Sequence, residues 1–160
     1  VYSGLDTTKF VFRGFIPRET KERKILMDEV KDKKETLIFY ESPHRLIDTL
    51  DFLNSVLGGR KIAVCRELTK LHEDIYRGTI EEAYNWFLNN KPRGEFVLVI
   101  EGKSEDEIKA EKEEAFANIT VEEHLINLIN SGISKKEAIK IVSKEREMPK
   151  KDVYKIAIEL

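Results

Sequence analysis

Three short, uninterrupted apolar runs constrain this chain more than any other feature. They are TLIFY (36–40), the start of KIAVCREL (61–68), and the body of EFVLVIEG (95–102). Each is rich in β-branched, aliphatic or aromatic residues and is short. Each therefore reads as a strand, TLIFY at an interior position of a sheet. Between them lie longer stretches with apolar residues at helical spacing. PHRLIDTLDFLNSVLGG (43–59) places Leu46, Ile47, Leu50, Leu53, Val56 and Leu57 on one side and stops at Gly58-Gly59. TIEEAYNWFLNN (79–90) opens with Thr79-x-x-Glu82, a capping-box pattern. Upstream, KFVFRGFIP (9–17) alternates Phe10, Phe12 and Gly14 against Val11, Arg13 and Phe15 and ends at Pro17, as a strand would. RETKERKILMDEVKDKK (18–34) reads as a surface helix with a narrow stripe of Ile25, Leu26, Met27 and Val30. EDIYRGTI (73–80) supplies a shorter strand. Strand and helix patterns in alternation predict an α/β sheet domain over residues 1–102.

After Gly102 the composition changes. KSEDEIKAEKEEAF is nearly all charge and helix former, so residues 103–119 are expected to be a solvated linker helix. Three amphipathic helices then fill residues 120–160. The first starts at Thr120-x-x-Glu123 and buries Val121, Leu125, Leu128 and Ile129 before Gly132. The second starts at Ser134-x-x-Glu137, another capping-box pattern, and buries Ala138, Ile141 and Val142. The third begins near Pro149 and buries Val153, Ile156, Ala157 and Leu160. The three resemble a helix-turn-helix-type bundle, although packing alone accounts for their pattern.

Composition narrows the function classes. With 41% hydrophobic residues in 160, the chain can bury a sizeable core. Charged residues make up 36%, but both signs are mixed and the formal net charge is only -2. Residues 1–100 carry 17 Lys and Arg against 16 Asp and Glu, and residues 101–160 carry 11 against 14. A chain gripping nucleic acid over its whole surface would be clearly basic, so any contact with a polyanion is local. The single cysteine, Cys65, excludes an internal disulfide and fits a reducing cytoplasm. No apolar run approaches the roughly 18–20 residues of a membrane span. The opening VYSGLDTTKF, which begins at Val1, reads as the interior of a longer protein.

The chemistry-bearing residues cluster where strands end. TLIFY runs into Glu41-Ser42-Pro43-His44-Arg45. Ser42 can cap a helix with Pro43 at its first position. That leaves Glu41, His44 and Arg45 unexplained, and ligands of open α/β sheets bind beyond the carboxyl ends of strands. RELTKLHED (66–74) follows the second apolar strand in the same way. It crowds Arg66, Glu67, Thr69, Lys70, His72, Glu73 and Asp74 into one loop, which could equally be a solvated turn with Arg66–Glu67 and Lys70–Glu73/Asp74 pairs. KPRGEFVLVIEG places Gly94 between Arg93 and Glu95, where the backbone can approach a neighbour closely or simply turn into a strand. FIPRETKERK (15–24) has cations for phosphates or for a solvated helix start. His44, His72 and His124 lack metal-ligand spacing, so no metal site is expected. Phosphate-binding glycine motifs and a nucleophile elbow are absent. Cys65, inside a strand, reads as a core residue.

Taken in order, SGL, FVFRGFIPR, TLIFYESPHRL, RELTKLHED, RGTIEEA and PRGEFVLVIEG resemble the carboxyl-terminal half of the ribosomal RNA small subunit methyltransferase I family, within the tetrapyrrole methylase superfamily. The resemblance covers residues 1–102. It implies a mixed-sheet second domain of the tetrapyrrole methylase fold followed by a small all-helical tail. It implies an S-adenosyl-L-methionine-dependent enzyme acting on the ribose 2′-hydroxyl of a cytidine in small-subunit rRNA or the 30S subunit, active as a cytoplasmic homodimer. The glycine-rich motifs of that family's first domain are absent, so the chain is expected to be half an enzyme, inactive alone.

Carried over by position, the resemblance places Phe39, Tyr40 and Glu41, then Leu68 and Thr69, then Gly94, Glu95 and Phe96 beside the cofactor, largely through main chain. Ser42, His44, Arg45, Arg66 and His72 would face RNA. Methyl transfer to a weakly acidic hydroxyl needs alignment and a nearby base. Glu41, His44, Glu67 and His72 are the candidates, and Arg45 and Arg66 could hold phosphates flanking the target ribose. Two other readings stand beside this one. One is a non-catalytic dimerisation or RNA-binding module. The other is a methyltransferase acting on a small tetrapyrrole, against which ESPHR and RELTKLHE argue.

Overall fold

The computed structural model describes residues 1–160. The elements run β1 (Phe10–Phe15), α1 (Thr20–Val30), β2 (Thr36–Glu41), α2 (Leu46–Leu57), β3 (Lys61–Arg66), β4 (Asp74–Thr79), α3 (Ile80–Asn89) and β5 (Phe96–Ile100), then α4 (Glu105–Ala117), α5 (Val121–Asn130), α6 (Lys135–Glu145) and α7 (Lys150–Ile158). The five strands form one sheet in the order β1-β2-β5-β3-β4. β1 pairs with β2 in parallel, and the other three pairings are antiparallel. The α/β class and mixed sheet expected from the sequence are therefore observed. The chain divides into two compact units, Val1–Ser104 and Glu105–Leu160.

Within the first unit, all three helices bury their apolar stripes against one face of the sheet. Leu37 and Phe39 of β2, Leu98 and Ile100 of β5, and Ile62 and Val64 of β3 meet Met27 and Val30 of α1, Leu46, Leu50 and Leu53 of α2, and Ile80 and Ala83 of α3. Each fully buried large side chain contributes about 1.5–3 kcal/mol relative to exposure. The other face is only partly covered. There, Arg77 on β4 donates through its guanidinium to the Tyr2 carbonyl, which draws the amino-terminal segment across the strands. Phe10, Phe12, Phe15 and Tyr40 remain exposed.

β1 departs from simple alternation. Phe12 pairs with Ile38, but Phe15 pairs with Tyr40, so β1 spends three residues where β2 spends two. Gly14, at φ +67, absorbs the bulge. The slip sets Phe10, Phe12 and Phe15 on the same face, and Phe12 and Phe15 both meet the Tyr40 ring edge-on.

Two helix starts differ from expectation. α2 begins at Leu46, not at Pro43, and has no side-chain cap. Residues 43–45 form a turn in which the Arg45 N–H donates to the Ser42 carbonyl at 3.2 Å. The Glu41 carboxylate accepts the Ser42 N–H at 2.8 Å, and Ser42 caps nothing. The boxes at Thr79 and Thr120 are complete. At Ser134 only the hydroxyl's half forms, because Glu137 turns to pair with Lys140 at 3.0 Å. Ile25, Val56 and Leu160 are exposed rather than buried.

The second unit packs α5, α6 and α7 around Leu125, Ala138, Val142, Val153 and Ala157. Arg146 ties that unit together. Its Nη2 donates to the Ile119 and Thr120 carbonyls, its Nε donates to His124 Nδ1 at 3.3 Å, and its guanidinium lies 4.6 Å above the Phe116 ring. α4 buries no residue of its own. No helix is long and apolar enough to cross a membrane.

Candidate functional site

Strand direction decides where the three chemistry-bearing loops meet. β5 is antiparallel to both β2 and β3, so the ends of β2 and β3 and the start of β5 lie at one end of the sheet. Glu41, Phe96, Arg66 and Asp74 are register partners in one row across that end. The loops 42–45, 67–73 and 90–95 all leave from it.

The first loop is locked from within. Glu41 is only 2% exposed. One of its carboxylate oxygens accepts from the Ser42 N–H at 2.8 Å, and the other accepts from the buried Thr49 hydroxyl at 2.7 Å. Arg45 approaches the same carboxylate at 3.7 Å, while its Nη2 donates to the carbonyls of Ile16 at 2.8 Å and Pro17 at 3.0 Å. Arg45 thus ties this loop to the β1–α1 connection, and its guanidinium is already engaged. His44 is exposed at the apex of the turn.

The second and third loops clamp each other. The Glu67 N–H donates to the Glu95 carbonyl at 2.9 Å, and the Glu95 N–H donates to the Glu67 carboxylate at 2.7 Å. Lys70 bridges Glu67 at 3.1 Å and Glu95 at 2.7 Å. The Glu95 N–H, then Lys70, hold the Glu67 carboxyl below its ordinary value near 4.5. Glu95 and Glu67 raise Lys70 in turn. The pairs are therefore Lys70–Glu67 and Lys70–Glu95, not Arg66–Glu67 and Lys70–Glu73/Asp74; Glu73 instead accepts from the Thr69 N–H at 2.7 Å. The clamp holds unusual backbone. Glu67 and Thr69 have φ of 50 and 67, and Gly94 has φ 88. Left-handed non-glycine residues in pairs are costly and concentrate at functional loops. A Cβ on Gly94 would stand 2.6 Å from the Glu67 carboxylate, so only glycine fits this approach.

The residues expected beside a cofactor divide between two faces. Phe39 and Phe96 lie in the core at 0% and 2% exposure, so only their main chain can reach a ligand. Tyr40 is exposed on the open face. Leu68 lines a cavity of about 320 Å³ on the open-face side, floored by Phe10, Ile38, Cys65 and Val99 and rimmed by Ser3 and Asp6. Thr69, Gly94 and Glu95 are exposed along the loops. Sequence reasoning missed the amino-terminal segment. The signal lay in its Asp6-Thr7-Thr8 stretch, where Thr8 donates to Asp6 through both hydroxyl and N–H and holds the carboxyl below its ordinary range. Burial pushes the Cys65 thiol up, in keeping with a core role. No group of three or more His, Cys, Asp and Glu side chains converges as a metal site would.

Residues 2–84 match the model of the tetrapyrrole (corrin/porphyrin) methylases. The chain belongs to that family, and the clamped loops at one sheet end are part of a methylase-type α/β domain. The most informative relatives are more particular. Proteins named ribosomal RNA small subunit methyltransferase I are 46% identical in Halalkalibacterium halodurans, 44% in Bacillus subtilis and 36% in Synechocystis. These matches cover 98%, 96% and 100% of this chain but 53%, 52% and 56% of the relatives. The chain spans about half the length of the curated relatives it matches, and the family resemblance drawn from its motifs is borne out.

Proposed function

We propose that this chain forms one wall of an S-adenosyl-L-methionine-dependent methyltransferase acting on small-subunit rRNA, at the 2′-hydroxyl of a cytidine ribose. The observation that carries the reading is the row Glu41–Phe96–Arg66–Asp74. It gathers ESPHR, RELTKLHED and PRGE at one end of the sheet, in a chain so similar to named rRNA methyltransferases.

The residues present fit the cofactor. The open-face cavity offers an apolar floor for an adenine, and the Asp6 carboxylate at its rim can accept from ribose hydroxyls. The main chain of Leu68, Thr69, Gly94 and Glu95 supplies further polar groups. When bound, S-adenosyl-L-methionine would supply a methyl on a positively charged sulfur. The chain's part is to fix the loops that align the target hydroxyl with it. Among the four base candidates, Glu41 and Glu67 are consumed by the locks described above. His44 and His72 are exposed, and an imidazole is suited to take a hydroxyl proton near neutral pH. Arg66 is better placed than Arg45 to meet a phosphate, because Arg45 is committed to carbonyls. A cytoplasmic activity belongs to the same reading, since that is where a ribosomal substrate would be met. A homodimer is part of the same reading, with a second copy as the partner; light scattering coupled to gel filtration measures it.

The test uses a protein of the relatives' length that contains this chain. Labelled S-adenosyl-L-methionine and unmodified 30S subunits should give label on one cytidine ribose. Label on a tetrapyrrole instead, with none on 30S subunits, overturns the reading.

A further inference from the structure

A second cavity lies on the helix-covered side of the sheet, where β4, the end of α3 and the loop before β5 meet. It holds about 180 Å³, roughly six water volumes at ~30 Å³ each. Its walls include Tyr76, Trp86 and Phe96, and three cations, Arg66, Lys91 and Arg93, line it beside a single carboxylate, Asp74. The Tyr76 and Trp86 rings stand 5.4 Å apart and tilted by 37°, and Phe87 braces Trp86 edge-on at 4.7 Å. Trp86 is still 40% exposed. Arg66 Nε is buried with no hydrogen-bond partner, and its Nη2 has only a long 3.5 Å contact with the His72 carbonyl. A buried donor left unpaired costs about 1–3 kcal/mol, so the site is short of an acceptor. Lys91 and Arg93 are exposed and form no ion pair.

Aromatic walls call for a flat π-system, the unpaired guanidinium calls for an acceptor, and the outer cations call for phosphate. One ligand class supplies all three. We propose that this cavity binds one unstacked nucleotide of single-stranded RNA, with its base against Tyr76 and Trp86, an acceptor on Arg66, and adjoining phosphates on Lys91 and Arg93. Stacking and backbone cations are the usual means of holding single strands, at about 1–3 kcal/mol per stacked base. A duplex keeps its bases stacked and cannot enter. The inference rests on RNA as the substrate, and it separates the RNA anchor from the cofactor cavity on the opposite face of the sheet.

Trp86 is the only tryptophan, so its emission reports on this wall directly. The chain is titrated with a fluorescein-labelled hexacytidylate, its duplex form, and S-adenosyl-L-methionine. Trp86 emission and probe anisotropy are read together. The single strand should quench Trp86 saturably and the duplex should not. Arg66→Ala should weaken binding at least tenfold, Arg66→Lys less, and Arg93→Ala, at an exposed position that folding does not need, severalfold. Anisotropy that rises with Trp86 unchanged overturns the cavity while leaving RNA as the substrate. Quenching by S-adenosyl-L-methionine that RNA displaces assigns the cavity to the cofactor and overturns it as an RNA site. No binding of the hexamer also overturns it, and methylation of 30S subunits still judges the wider reading independently.

Discussion

Glu41 shows how a residue that looks chemical can be structural. Its carboxylate satisfies the Ser42 N–H and the buried Thr49 hydroxyl and faces Arg45. Glu41→Ala leaves the Ser42 N–H and the buried Thr49 hydroxyl without their acceptor and removes the carboxylate that faces Arg45, at about 1–3 kcal/mol for each buried group left unpaired. Urea unfolding should show a loss of at least 2 kcal/mol. Thr49→Val should cost about 1–3 kcal/mol alone and less in the Glu41→Ala background, because both remove one bond. Full additivity would show that the two residues do not share it. Gly94 acts the other way, through what it lacks. Gly94→Ala combines a left-handed φ with a Cβ 2.6 Å from Glu67, so it should destabilise by about 1–3 kcal/mol. On the proposed reading it should also loosen S-adenosyl-L-methionine binding, in a protein of the relatives' length that contains this chain, more than Glu95→Gln does, as read by calorimetric titration. Equal affinity in Gly94→Ala and wild type would remove the loop approach from the site.

At the scale of elements, the clamp between the second and third loops is pH-dependent, and its sign follows from Glu67. A carboxyl held below its ordinary value near 4.5 in the folded protein stabilises the fold above that value. The stabilisation disappears as pH falls through the lowered folded value and the carboxylate takes up a proton. Hydrogen exchange at the Glu67 and Glu95 amides, corrected for intrinsic rates, should show steady protection from pH 7 to about 5 and declining protection below about 4. Glu67→Gln should flatten that profile, and an unchanged profile would place the clamp's strength elsewhere. Most of the elements were legible because their signals are local. Three apolar runs fixed β2, β3 and β5, and Thr79 and Thr120 marked helix starts with complete boxes. The bulge at Gly14 was not legible, since nothing in FVFRGF says which residue goes unpaired until Ile38 and Tyr40 supply the register. The late start of α2 was missed for a similar reason. Its cap was expected in Ser42, but residues 43–45 form a turn that puts Ser42 a turn before the helix, in a loop held by Glu41, whose role depends on Thr49 eight residues away. Motif position likewise showed which loops share an end, but not that Phe39 and Phe96 turn into the core while Tyr40 turns out.

For the whole molecule, the two units differ in how much core each owns. The sheet unit buries eighteen apolar residues in one cluster, and the helical unit buries five, four of them alanine or valine on α6 and α7. A unit of 56 residues with so small a core is of marginal stability. Arg146 compensates by tying α6 to the Ile119 and Thr120 carbonyls and to Phe116 and His124 at once. Arg146→Ala removes those bonds and leaves carbonyls at the α4–α5 junction to water, a loss of about 1–3 kcal/mol. Because the unit is small, that loss should lower its midpoint by roughly 4–8 °C per kcal/mol. Scanning calorimetry of the whole chain should then show a first, small transition that shifts down in Arg146→Ala and a second, larger one that does not. Leu50→Ala, which opens the sheet core at about 2–5 kcal/mol, should move the larger transition. If both variants move one shared transition, the two cores unfold as a single cooperative unit and Arg146 serves the whole chain rather than its helical end.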